Sequence, residues 1–344
     1  MERPPLPCPS TRPHIANHYI RASIDGALRQ GADAQSLLAA ADIPADWLDQ
    51  PRCPISEQQL SELIKAVWRY SGDEFMGLAP GVCKRGVFSL MAELACAART
   101  LGGMLEQSAR FYRAVSNDID VGLADDPGAL LFYRLHLHHQ GQDPDHLLQE
   151  FLLLMWQRFA SWLVGQQVPF ASTCFNYGVP AHGAEYRAMF LGELLYEQTH
   201  CGFVLHRRFL QLPIVRNAAQ LQGFLGDCPR VILHRPVRDT SLQARVRLLL
   251  QRHDFEQMPG IEQLSEHLRM SPRTLRRRLT DEGTSVRQIK DALRRDFAQT
   301  LLTREHLSVQ EVAEQSGFAE AAAFCHAFKR WMGLSPAAWR KHRR

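Results

Sequence analysis

Four arginines, Arg273, Arg276, Arg277 and Arg278, fall within residues 272–282, a stretch that also carries Leu275 and Leu279 four apart. Guanidinium groups at this density suit a polyanion. Each can donate two parallel hydrogen bonds to guanine O6/N7, a contact worth about 1–3 kcal/mol of discrimination, or it can clamp a phosphate. The alternative is a solvated basic face that meets only the nucleic-acid backbone. A second cluster is Arg134, His136 and His138, alternating with Leu135 and Leu137. It has the chemistry to hold an anionic effector or a metal. The plainer reading is a polar sheet face, because no carboxylate or cysteine stands beside it at ligand spacing. The eight cysteines are scattered with no C-x-x-C pair, so they read as small apolar thiols and not as a zinc site or disulfide framework. We expect no cofactor and no metal.

The arginines need a helix to carry them, and the local sequence supplies one. Ser271 has the chemistry of an N-cap, and Pro272 occupies the first helical position, where a missing N–H costs nothing. Leu275 and Leu279 share the face that must turn inward. Ile261, Leu264 and Leu268 predict a short supporting helix before it. The pattern recurs at an offset of about 48 residues. Ser308 caps, Val309 and Val312 point inward, Gly317 turns, Phe324 and Phe328 repeat the i, i+4 pair, and Gly333 closes. Between the copies Val286, Ile289, Leu293, Phe297 and Leu301 run at helical spacing and predict one rigid helix. Each copy is then a supporting helix, a tight turn and a second helix with a free outer face, a shape that fits a major groove about 12 Å wide.

Upstream the periodicities are mixed. Residues 19–30, 56–70 (capped by Ser56), 90–115 and 145–164 read as helices, with a further helix near 184–198. Residues 129–138 alternate with period 2, placing Leu131, Tyr133, Leu135 and Leu137 on one face of a strand and Phe132, Arg134, His136 and His138 on the other. Residues 169–179 and 202–212 read as two more strands. The fold class is therefore an α+β N-terminal domain, which the resemblance described below implies is a sensor domain, followed by an all-α DNA-binding domain with two helix-turn-helix units. Residues 1–13, with five prolines and no apolar core, read as a disordered tail. Residues 14–230 form the sensor or oligomerisation domain, 231–258 a linker with a helix, and 259–344 the DNA-binding domain.

Charge agrees with this division. The chain of 344 residues has a net charge of +4. Its last 104 residues hold 19 basic and 12 acidic groups, against 21 and 24 in the preceding 240. One domain is built to meet a polyanion and the other is not. The densest apolar run, 151–162, is broken by Gln157 and Arg158, so no membrane span and no membrane partner is expected; we expect a cytoplasmic protein, at the nucleoid when bound to DNA.

The tail 317–340 carries a resemblance. Gly317-Phe318, Phe324, Phe328-Lys329-Arg330-Trp331, Gly333-Leu334-Ser335-Pro336 and Trp339-Arg340 resemble the signature of the second unit of AraC/XylS regulators. Leu37-Leu38 with Ile43, Gly77-Leu78, Leu101-Gly102, Leu210 and Leu212-Pro213 more loosely resemble the arabinose-binding sensor domain of the branch that includes ornithine-utilisation regulators. The resemblance implies a transcription regulator that binds double-stranded promoter DNA, responds to a small-molecule effector, forms a homodimer and contacts RNA polymerase if it activates. It places base-reading side chains at Arg273, Arg276 and Arg277. The second recognition helix departs from the family: Ala321, Ala322 and Ala323 stand where polar residues are usual and His326 where arginine is usual. It is expected to read little sequence, leaving Glu320, Cys325, His326, Lys329 and Arg330 as contacts. Ser265 replaces the usual alanine of the first supporting helix. The effector is expected at Arg134, His136 and His138. Two other readings are a regulator controlled by dimerisation or a partner protein alone, and an enzyme fused to a DNA-binding tail. The last lacks a four-cysteine cluster or a G-x-S-x-G elbow to support it.

Overall fold

The computed structural model describes residues 15–49, 55–124, 129–234, 241–303 and 307–342; the predicted tail 1–13 lies outside them. The chain opens with helices α1 (His18–Arg29), α2 (Ala34–Ala39), α3 (Glu57–Ser71), α4 (Val87–Cys96) and α5 (Leu101–Val115). Ser56 and Gln59 form a capping box at the start of α3, and Gly72 at φ 68° ends it in the left-handed region that suits glycine. The helix expected over 90–115 is two helices. Thr100 is extended, its side chain accepts from the Gly103 N–H at 3.1 Å, and Leu101 N donates to Leu212 O at 2.8 Å. A bridge between Thr100 and Pro213 thus takes the backbone groups a continuous helix would need.

A five-stranded sheet follows: β1 (Ile119–Leu123), β2 (Leu130–Leu137), β3 (Phe170–Cys174), β4 (Glu193–Leu195) and β5 (Cys201–His206), in the order β1-β2-β5-β3-β4. All neighbours are antiparallel except β3 and β4. Alternation in β2 is as expected, with Leu131, Tyr133, Leu135 and Leu137 buried. Helix α6 (Leu147–Leu163) is buried nearly all round, packing on α1 and β2. The helix expected near 184–198 is a single turn, α7 (Tyr186–Met189), and the chain then becomes strand β4. Gly192 allows this: at φ 80°, a Cβ there would stand 2.7 Å from Phe170 O. Periodicity could not show β1 or β4 as strands, since each is short and half-buried. Helices α8 (Ala218–Asp227) and α9 (Arg230–Leu233) return to cover the helical layer, α8 on α4 and α9 on α3 and α6.

The C-terminal part is helical throughout: α10 (Leu242–Gln251), α11 (Ile261–His267), α12 (Pro272–Asp281), α13 (Val286–Leu302), α14 (Val309–Gln315), α15 (Ala321–Met332) and α16 (Pro336–His342). The predicted joining helix is α13, whose 17 residues make a rod of about 26 Å. Its inward face is Ile289, Leu293, Phe297 and Leu301, all buried. Helix α10 packs on α13 and α12, so it stands with the DNA-binding helices.

Candidate DNA interface

In the first unit Ser271 accepts the Thr274 N–H at 3.1 Å and Pro272 opens α12. Leu275 and Leu279 are buried against α11, whose Leu264 is fully buried. Inward leucines at i, i+4 turn the rest of the helix outward. Arg273, Arg276, Arg277 and Arg278 are all exposed. Among the described residues none of the four has an ion-pair or side-chain hydrogen-bond partner. Ser265, a residue 1% exposed, is accommodated because its hydroxyl donates to Ile261 O at 2.6 Å.

In the second unit Ser308 and Glu311 form a capping box, and Gly317 at φ 76° makes the turn. Val312, Phe324 and Phe328 are fully buried. Phe328 meets Trp339 of α16 at 6.0 Å between ring centroids, and Gly333 at φ 75° stops α15. On the outer surface Glu320, Ala322, Ala323 and His326 are exposed at the N-terminal half of α15, and Cys325 is half-buried. Lys329 and Arg330 lie two turns further on, and Arg330 reaches back to Asp291 of α13 at 3.6 Å. Lys329 and Arg330 are thus exposed in the C-terminal half of α15, away from the N-terminal residues through which recognition helices mainly meet bases.

Three supports were not visible to periodicity or spacing. Glu282, just after α12, accepts the Leu242 and Gln243 N–H groups at 2.8 and 2.7 Å, tying the first unit to the start of α10. Arg247 of α10 pairs with Asp296 of α13 at 2.9 Å. Phe255, between α10 and α11, is the third. Its carbonyl accepts from Arg294 of α13 at 2.7 Å, and its ring lies 5.3 Å from that of Phe297. A Cβ on Gly317 would come within 2.4 Å of its Cβ. From the sensor side Arg208 stands over the Phe255 ring at 4.2 Å and donates to His253 O at 2.6 Å. Burial pushes the Arg208 guanidinium down to about 10, so it remains charged at neutral pH. All of these contacts join residues far apart in sequence, and no local signal announces them.

The structure places the expected effector residues on an open sheet face. Arg134 pairs with Asp120 of β1 at 2.7 Å, and His136 and His138 are exposed. Desolvation and the neighbouring His138 lower the His136 pKa, which favours its neutral form. Five well-formed cavities among the described residues are lined by other side chains. No group of three or more His, Cys, Asp or Glu among the described residues could hold a metal ion, and no described helix is long and apolar enough to cross a membrane.

Comparison with known proteins decides the family. Residues 31–214, more than half the chain, match the N-terminal arabinose-binding domain of AraC transcription regulators, and residues 264–342 match a helix-turn-helix domain. The chain belongs to the AraC family of transcription regulators. It is a DNA-binding regulator and not an enzyme. This AraC-family regulator is 26% identical over 326 residues to an ornithine utilization regulator of Pseudomonas aeruginosa, covering 94% of this chain and 95% of that protein. It is 32% identical over 185 residues to the regulator VqsM of the same organism, covering 52% and 55%. Among solved structures, the transcriptional regulator CdpR from Pseudomonas aeruginosa shares 22% identity over 89% of this chain and 96% of that one, at a TM-score of 0.32.

Proposed function

We propose that this regulator reads its operator chiefly through Arg273, Arg276 and Arg277, with Arg278, Lys329 and Arg330 on phosphates. Glu320, Cys325 and His326 make the few contacts of the second recognition helix. The observation that carries this reading is the set of four exposed arginines without internal partners on one recognition helix. An unpaired guanidinium is free to form bidentate bonds, whereas a paired one must first break its ion pair. The chain acts as a homodimer at a promoter, contacts RNA polymerase where it activates, and works in the cytoplasm, at the nucleoid when bound.

The sensor domain of residues 14–230 is effector-responsive in this reading. An effector acts by favouring one of two arrangements of sensor and DNA-binding helices, and only differential affinity for the two can shift them. The Arg208–Phe255 contact supports this, because it places the sensor against both the joining helix and the turn of the second unit. The test is titration of the full chain against genomic DNA fragments across a salt series. Binding should weaken with a slope of about −0.9 per phosphate contacted, and selected fragments should share a motif. Binding that shows no preference among fragments would sink the base-reading assignment.

A further inference from the structure

The helical side of the sensor domain holds a cavity of 460 Å³ that the DNA-binding reading leaves unused. Small-molecule sites run from about 300 to 1,000 Å³. No strand contributes to it: its walls come from α3, α4, α5, α6, α8, α9 and the loop joining α3 to α4. That loop is held in shape by two acids. Asp73, 1% exposed, accepts the N–H groups of Phe75, Gly77 and Cys83 at 2.9, 2.8 and 2.8 Å. Glu74 accepts those of Gly86 and Phe88 at 2.7 and 2.9 Å, capping α4 where Gly86 has no side chain to do so. Trp68 is fixed by donating its indole N–H to Glu74 O at 3.1 Å. A wall preorganised in this way loses little freedom when a ligand enters.

The lining has a chemical bias. Trp68 and Phe88 line the cavity and are half-buried, and Phe151 meets Trp68 edge-to-face at 6.3 Å. Such rings favour a planar aromatic occupant. Arg85 is exposed at the rim, and among the described residues its side chain has no ion pair or hydrogen bond. Lys65 stands on the wall, ion-paired with Glu62 one turn earlier on the same helix at 3.1 Å. Glu74 is the sole carboxylate of the described lining, and it already serves two backbone N–H groups. Lys65 is matched by Glu62, which leaves Arg85 as the lining cation without an ion pair among the described residues.

We propose that this cavity binds a small monocarboxylate bearing an aromatic ring, with the carboxylate on Arg85 and the ring among Trp68, Phe88 and Phe151. The inference rests on the effector-responsive reading and names its ligand class. Leu225 of α8 and Ile232 of α9 close the cavity, and these are the last helices before the connection to α10. His234 Nδ1, 3.0 Å from Glu57 Oε2, ties the end of α9 to the start of α3. An occupant therefore bears on the wall from which the chain leaves for the DNA-binding helices.

The experiment titrates the full chain with 4-phenylbutyrate, 4-phenylbutan-1-ol, 4-phenylbutylamine and decanoate, by calorimetry and by thermal shift. The expected result is saturable binding of 4-phenylbutyrate, about tenfold or more tighter than the alcohol, the amine or decanoate, the advantage over the alcohol being that of a charge-assisted hydrogen bond. Arg85→Gln, an exposed substitution, should erase most of the preference for carboxylate over alcohol. Ser89→Trp, filling the cavity from a half-buried position, should abolish saturable binding while the melting temperature is kept. The proposal is overturned if no probe binds saturably at millimolar concentration, if the amine or decanoate matches the carboxylate, or if Arg85→Gln leaves the preference intact. A cellular inducer whose dose response moves with Arg134→Ala and not with Arg85→Gln would overturn the cavity and leave the effector-responsive reading standing. If 4-phenylbutyrate binds as expected but operator affinity does not change, the cavity stands and that reading falls.

Discussion

The two helix-turn-helix units have the same interior and different exteriors. Leu264, Leu275 and Leu279 in one, and Val312, Phe324 and Phe328 in the other, are all at most 1% exposed. Outside, α12 offers four arginines, while α15 offers alanines at 321–323. Alanine can touch a thymine methyl and little else, whereas arginine can distinguish guanine from every other base. Burial sets the shape of a recognition helix, and the outward side chains set what it reads. The attachments differ as well. The first unit is strapped to α10 by Glu282, and the turn of the second is pressed against Phe255, which lies under the sensor's Arg208. One unit presents the exposed arginines, and the other is seated where the sensor meets the DNA-binding helices.

The largest test of this contrast is Arg276→Ala or Arg277→Ala. Each should weaken specific operator binding by about 1–3 kcal/mol, roughly tenfold to a hundredfold, and relax preference at particular base positions. A base-by-base scan of operator variants measures it. Strongest preferences under α15, unchanged by either substitution, would reverse the comparison. Next is Glu282→Ala, which strips two acceptors from the start of α10 and should cost about 0.5–2 kcal/mol in chemical denaturation, as losing a helix cap does. An unaltered denaturation midpoint would show that Ser241, which also accepts from Ala244 N, suffices alone. The smallest effect is expected at Ala322→Ser on the exposed surface of α15: operator affinity and stability should each change by less than about 0.5 kcal/mol. A larger loss of affinity would mean that the alanine surface packs closely on DNA.

Much of this protein is legible in its sequence, and the reason is local. Caps at Ser56, Ser271 and Ser308, the i, i+4 pairs Leu275/Leu279 and Phe324/Phe328, and the alternation in β2 are each settled within a few residues, so sequence alone determined the helix-turn-helix units, their joining helix and the arginine face. What failed locally was decided by distant partners. The break at Thr100 depends on pairing with Pro213, the conversion of 184–198 into a turn and a strand depends on β3 beside Gly192, and α8–α9 take their places from the helices they cover. The same holds for the candidate sites. That four arginines share the outer face of α12 could be read from spacing, because a helix face is a local property. The Glu282 strap, the Arg208–Phe255 contact and the aromatic cavity bring together residues dozens of positions apart. Hydrogen bonds and ring packing at that separation exist only once the chain has folded, so only the tertiary structure could decide them.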